Sequence, residues 1–170
     1  MHLPQFPETN IEIILYQNVS NASDIRSSIA ELPYAFIDAC TICSVEQLMS
    51  AIYRVLIESK YNRLRTKSLH SEVLLALSPT SNIGEAFKRF GISDKTKNLI
   101  MVEISQSDSN CSLDKTVVTG DIVDFKDENL QKNSDLDAIR KIYKIDQSVK
   151  FEDISELSRA TVNAIQLRGL

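Results

Sequence analysis

Apolar residues along this chain follow two periods, and their order predicts the fold. Residues 11–16 (IEIILY) are nearly continuous in apolar, β-branched character despite Glu12, which predicts a buried strand at the centre of a sheet. Residues 34–37 (YAFI) are long enough only for a second strand, which could pair with the first. Residues 99–104 (LIMVEI) repeat the first run's composition and are expected in the same sheet. Between the first two runs, residues 19–32 set Ile25 and Ile29 four apart behind three N-cap candidates, Ser20, Asn21 and Ser23. A short surface helix stopped near Pro33 is expected there.

The strongest helical period comes next. Ser44-Val-Glu-Gln47 has the capping-box form, in which the hydroxyl accepts the N3 amide and Gln47 reaches back to the cap amide. Val45, Leu48, Met49, Ile52, Val55, Leu56 and Ile57 then recur at helical spacing to about Ser59. Ser68 opens another helix, with Leu69, Val73, Leu74 and Leu77 on one face and Pro79 as its stop. Residues 82–85 repeat the capping pattern before a stripe of Ile83, Ala86, Phe87 and Phe90, and Gly91 is expected to end that helix in the left-handed conformation. Residues 105–110 read as a loop, and residues 111–134 are weakly patterned, with short strands expected at 116–119 and 122–125 around Gly120. Ser134 is expected to cap a helix over 135–144 carrying Leu136, Ile139, Ile142 and Tyr143. Asp153 or Ser155 opens the last helix, whose Ile154, Leu157, Ala160, Thr161, Ala164, Ile165 and Leu167 make a wide apolar face.

Strands separated by several helices, without regular βαβ alternation, predict an α+β fold: a small mixed or antiparallel sheet covered by helices. A chain of 170 residues is expected to form a single domain, 1–170, because two cores would each be poorly buried. The apolar fraction of 43% and charged fraction of 25% exclude a disordered or fibrous class. No run approaches the roughly 18 consecutive apolar residues of a membrane span. The start MHLPQFPETN lacks a basic stretch followed by an apolar one, so a soluble intracellular protein with no membrane partner is expected. Cys40, Cys43 and Cys111 form an odd set that suits reduced thiols.

A net charge of −4 argues against coating nucleic acid by bulk electrostatics, but the charge is unevenly spread. Residues 54–97 hold nine basic and four acidic side chains, whereas residues 103–137 hold nine acidic ones and three lysines. A polyanion would dock on the first segment and avoid the second.

Phosphate-binding glycine motifs of the GxxxxGK[ST] and GxGxxG kinds are missing, and four glycines in all leave little backbone able to approach a phosphate. Cys40-Thr-Ile-Cys43 has the spacing of a redox pair or of half a zinc site. A zinc site lacks partners, since only Cys111, His2 and His70 remain, at no ligand spacing. A redox pair needs a lowered thiol pKa, and buried structural thiols are the default, with a thiol oxidoreductase kept as an alternative. His70 and Glu72 are two positions apart on a helix and point to different faces, so no shared proton is implied. No catalytic residue, cofactor or metal is expected.

Lys60-Tyr-Asn-Arg-Leu-Arg-Thr-Lys67 places four cations in eight residues with no acid and one interleaved tyrosine. Arginine offers phosphate a planar fork, lysine a point charge, and Tyr61 a face for a base. The same segment also reads as a solvated turn between helices. As an RNA site it suits an end or a loop better than a long duplex.

Residues 66–79 (TKSLHSEVLLALSP) followed by residues 82–93 (NIGEAFKRFGIS) resemble the signature of the TPRKB-like subunit of the KEOPS (EKC) complex, in particular its fungal members. The likeness continues in Val19-Ser-Asn-Ala, in Ile139-Arg-Lys-Ile-Tyr-Lys144, and in the small residues around Ala160 and Ala164; it is poorest over residues 105–133. The resemblance implies a non-catalytic subunit that binds the small atypical kinase/ATPase of the complex, which contacts the catalytic threonylcarbamoyl transferase. That complex makes threonylcarbamoyl-adenosine beside the anticodon of tRNA. The resemblance further implies a hold on the unpaired 3′ end of tRNA, a telomere-maintenance link in fungi, and a nuclear and cytoplasmic location. A stand-alone RNA-binding module is the alternative binding function.

Placed on the chain, the tRNA end is expected at Lys60, Arg63, Arg65 and Lys67, with Ser68, His70 and Ser71 adding hydrogen-bond groups at a helix start that favours phosphate. For the kinase, Ile154, Leu157, Thr161 and Ile165 are the candidates, because the apolar face of the last helix is wider than a terminal helix needs; packing on the sheet is the competing reading.

Overall fold

In the computed structural model, which describes residues 3–106 and 113–168, the first apolar run is strand β1 (Thr9–Gln17). It pairs antiparallel with β3 (Leu99–Gln106), from Thr9 opposite Gln106 to Tyr16 opposite Leu99. Its other edge pairs with the short β4 (Asp121–Val123). β2 (Ala35–Asp38) pairs antiparallel with β3, giving the order β2-β3-β1-β4. The fold is therefore α+β with an antiparallel sheet. The expected pairing of β2 with the first strand is corrected: both edges of β1 are already taken, and the free edge of β3 is the one left.

Alternation along the strands separates two apolar layers. Ile11, Leu15, Ile37, Ile100 and Val102 face the larger core, which also takes residues from α2 (Val45–Lys60), α3 (Leu69–Leu77), α6 (Leu136–Ile142) and α7 (Ile154–Leu167). Tyr16, Phe36, Leu99 and Met101 face the opposite side, under α1 (Ala22–Ser28), Leu113 and Val118. α2 packs on both α3 and α7, and α3 packs on α4 (Ile83–Phe90).

Several local expectations are changed by tertiary partners. Ser44 caps α2 by accepting the Gln47 amide at 3.0 Å, but Gln47 Oε1 accepts the Cys43 amide at 2.8 Å, one residue before the cap. Gln47 is fully buried, and its Nε2 donates to the Thr41 carbonyl and to the Tyr143 hydroxyl, so it belongs to a core network rather than a surface box. Asn21 precedes α1 without capping it; its side chain donates to the Val117 carbonyl and accepts the Thr119 amide, tying the helix to the distant loop. α1 ends at Ser28, short of the expected 32.

Residues 116–119 do not form a strand. Asp114 accepts the Thr116 amide at 2.9 Å and starts a 3-10 turn over Lys115–Val117, a local side-chain bond that competes with ladder pairing. α5 (Asp127–Asn133) was not legible, since Leu130 is its single apolar side chain. Asp135, not Ser134, caps α6, accepting the Ala138 amide at 3.1 Å, while Ser134 donates to the carbonyls of Ile42 and Leu130. Gly91 is extended rather than left-handed, at φ −71° and ψ 162°. It is required by close approach instead, because a Cβ there would lie 2.4 Å from the Phe87 carbonyl oxygen.

Candidate functional site

The basic segment is a built loop. α2 ends in a Schellman arrangement, with the Arg63 amide donating to Glu58 O at 2.8 Å and the Asn62 amide to Ser59 O at 3.1 Å. Asn62 takes the left-handed conformation this stop requires, at φ 56°. At the far end Ser68 caps α3 by accepting the Ser71 amide at 3.1 Å.

Between these ends the loop is gathered on one carboxylate. Glu72, 3% exposed in the first turns of α3, accepts the Arg65 amide at 3.1 Å, the Thr66 amide at 2.9 Å and the Thr66 hydroxyl at 2.7 Å. A buried carboxylate is tolerated because these donors and the helix N-terminus replace its water. The backbone being held inside, Lys60, Tyr61, Arg63, Arg65 and Lys67 all stand exposed. Arg63 lies 5.2 Å from the Tyr61 ring centroid and pairs with Glu58 at 3.1 Å.

Several depressions border the start of α3, and two of them take most of the expected site residues. The first, a cleft of about 430 Å³, is lined by Arg54, Arg63, Arg65 and Arg168 together with the carboxylates Glu58 and Glu72, and by Ser81 and Gln166. Arg54 donates to the carbonyls of Ile165 and Arg168 at the end of α7, and Arg168 donates to the carbonyls of Leu75 and Ser78 at the end of α3. Both thus hold helix C-termini, where carbonyls lack intrahelical partners. Burial, and then the charges of Arg54 and Arg65, push the Arg168 pKa down, while Glu72 and Glu58 act in the opposite sense, so the four guanidinium groups share the cleft with two carboxylates. The second depression, about 860 Å³, is walled by Ser68, His70 and Ser71 and by the apolar Tyr34, Phe36, Leu74, Phe87 and Ile92, with Arg26 and Lys88 among its lining.

Five of the seven expected tRNA residues border these two depressions, divided between them. Arg63 and Arg65 line the arginine cleft, while Ser68, His70 and Ser71 line the apolar groove; Lys60 lies instead in a separate depression with Phe6, Leu56 and Ile104, and Lys67 stands exposed outside all three. His70 is no free phosphate donor at Nε2, which accepts the Ile104 amide at 3.1 Å, beyond the point where β2 stops covering β3. Burial pushes its pKa down and keeps the ring neutral. The Ser68 hydroxyl donates to that of Ser71 at 3.0 Å. Sequence reasoning missed Glu72 as the loop anchor; a glutamate four residues after a capping serine, behind Thr66, was the available signal.

The apolar face of α7 turns inward. Leu157, Thr161 and Ile165 are 3%, 0% and 0% exposed, in packing that brings α7 against α2, and Ser158 meets Ser44 at 2.6 Å. Internal packing explains the width of that face, so these three side chains are not a surface. Ile154 is half-buried against the same core, and Leu167 is 61% exposed.

Cys40 and Cys43 do not have the environment of a reactive pair. Burial, and then a hydrogen bond to Asp38, push the Cys40 thiol up to about 12, and burial raises Cys43. Cys111 and His2 lie outside the described residues. Among the described residues, no three His, Cys, Asp or Glu side chains are grouped as a metal site, and no helix is long and apolar enough to cross a membrane.

Known proteins resemble this chain over nearly its whole length. It is 47% identical to the EKC/KEOPS complex subunit CGI121 of Eremothecium gossypii, over 99% of this chain and 97% of the relative. It is 43% identical to the subunit of the same name from Candida glabrata, over 99% and 98%. The Schizosaccharomyces pombe subunit is 39% identical over 99% of both chains. The family described as kinase binding protein CGI-121 matches residues 16–169. The resemblance read from residues 66–93 is borne out, and the chain belongs to the CGI-121 family of kinase binding proteins.

Proposed function

We propose that this chain is a non-catalytic subunit of a KEOPS/EKC complex, which binds the atypical kinase/ATPase of that complex and holds the 3′ end of tRNA while another subunit makes threonylcarbamoyl-adenosine beside the anticodon. Family membership and the naming of its relatives support the complex and the kinase. The observation that carries the RNA half is the Glu72-anchored loop, on which Lys60, Arg63, Arg65 and Lys67 stand exposed, with Arg63 and Arg65 lining an arginine cleft and the following Ser68, His70 and Ser71 walling an aromatic groove. A single-stranded tail has closely spaced phosphates and unstacked bases, and these two surfaces offer charge for one and apolar faces for the other. Because the loop is fixed before binding, little ordering entropy opposes the complex.

For the kinase, the accessible parts of α7, Ile154 and the exposed Leu167, take the place of its buried residues in this proposal. A nuclear and cytoplasmic location, and a telomere role in fungi, belong to the same proposal. Raised thiol pKa values disfavour the oxidoreductase alternative, because the thiolate is the reactive form.

Reconstitution with the kinase and labelled tRNA, with and without the 3′ tail, tests the reading. Tail-dependent binding together with a kinase complex that survives high salt is the expected result. Equal binding of tailless tRNA removes the 3′-end role. Tail binding without any kinase association leaves a stand-alone RNA module.

A further inference from the structure

We propose that the outer edge of β4 receives an extended, Lys/Arg-rich segment of a partner protein, added to the sheet as an antiparallel or parallel strand. β4 is an edge strand that, among the described residues, pairs with β1 alone. Its side chains alternate across the sheet: Val123 packs against the larger core, whereas Ile122 is 54% exposed in the middle of the strand. An open edge with a protruding apolar residue is a template for another strand.

The surrounding charge selects which strand. Asp121, Asp124, Asp127 and Glu128 are exposed on and just after β4. Asp121 accepts the Asn18 side-chain amide at 3.0 Å and Asp127 accepts the Val45 amide at 2.7 Å, both from neutral donors, and among the described residues neither makes an ion pair. Lys126 approaches Glu128 at 3.7 Å. A second copy of this chain would bring the same carboxylates to the same edge and be repelled. A basic strand is attracted by the same groups, and its backbone supplies the ladder while an apolar side chain lies beside Ile122. The acidic flanks thus suppress self-pairing and admit a partner of opposite charge.

Titration of the full chain with a synthetic peptide alternating lysine and valine tests this, alongside the same peptide N-methylated on one backbone edge and a glutamate-for-lysine counterpart. Expected is salt-sensitive binding of the lysine peptide, new amide-exchange protection at Asp121–Val123, and at least tenfold weaker binding on N-methylation or in Asp124→Lys. Ile122→Lys, a change at an exposed position, should weaken it similarly. Equal binding of the methylated peptide, indifference to both substitutions, protection elsewhere on the chain, or edge-to-edge dimers would each overturn the proposal.

Discussion

The Glu72 carboxylate and the Thr66 hydroxyl lie 2.7 Å apart, and this contact joins the basic loop to the helix that follows it. The two backbone amides that share the carboxylate make Glu72 an anchor of the loop's conformation, beside the Ser68 cap and the Thr66 hydroxyl's bond to the Ser68 carbonyl. Hydrogen bonds to a charged group contribute roughly 1.5–3 kcal/mol. Glu72→Gln is expected to lower stability to urea by about that amount and to weaken RNA binding as well, whereas Thr66→Val should cost about 1 kcal/mol. Unchanged unfolding midpoints in Glu72→Gln would show that the loop is held by something else.

His70 completes the hydrogen bonding of β3. Its Nε2 accepts the Ile104 amide, so His70→Ala should expose an unsatisfied buried donor and cost about 1–3 kcal/mol. The folded pKa lies below the unfolded value of about 6.5, so the unfolded chain binds the proton more readily. Stability contributed by neutral His70 is present above the unfolded pKa and is lost as pH falls below it toward the folded value. Urea titrations between about pH 7 and pH 5 should show that loss in the wild-type chain and a smaller one in His70→Ala.

Glu103 has the opposite sense. It stands directly opposite Glu12 in the β1–β3 ladder, is 4% exposed, and leaves Oε1 without a hydrogen-bond partner. Burial, and then the Glu12 charge, raise its pKa. The folded state therefore holds its proton more tightly, and stability declines as pH rises from the ordinary glutamate range through the raised value. Glu103→Gln is expected to increase stability near pH 7 by about 0.5–1.5 kcal/mol, with the gain shrinking in acid. A melting temperature that falls in this variant at neutral pH would contradict the assignment.

Tyr143 bridges the helical layer from within. Its hydroxyl donates to the Leu77 carbonyl at 2.6 Å and accepts from Gln47 Nε2 at 3.0 Å. Tyr143→Phe takes this donor from the Leu77 carbonyl and leaves one Gln47 Nε2 hydrogen without its acceptor, the other still reaching the Thr41 carbonyl, and should cost about 1–3 kcal/mol in equilibrium unfolding, with no loss of RNA affinity once folded.

Strong periods were legible in the sequence: β1, β3, α2 and α3 appear where Ile, Val and Leu recur, and α4 where Ile83, Ala86, Phe87 and Phe90 make a stripe; Ser44, Ser68 and Asn82 cap as expected, and of the two candidates for the last helix Asp153 is the cap. What sequence did not carry was decided by distant partners. Asn21 serves a loop about a hundred residues away, Gln47 turns inward to Tyr143, and Gly91 is fixed by the nearness of the Phe87 carbonyl. The cations of the site were visible as a run of residues 60–67, yet Arg54 and Arg168 join them only through folding. The apolar stripe of α7 was also legible, but a stripe does not say whether core or partner covers it, and α2 does.

RNA gripped by the 60–67 loop is tested most directly by the salt dependence of tRNA binding for the wild-type chain and for Arg63→Glu/Arg65→Glu. Each lost phosphate contact should reduce the slope of log affinity against log salt by about 1. The expected result is weaker binding with a slope shallower by about 2 and unchanged folding. An unchanged slope and affinity in the folded double variant would contradict the placement of RNA at this loop.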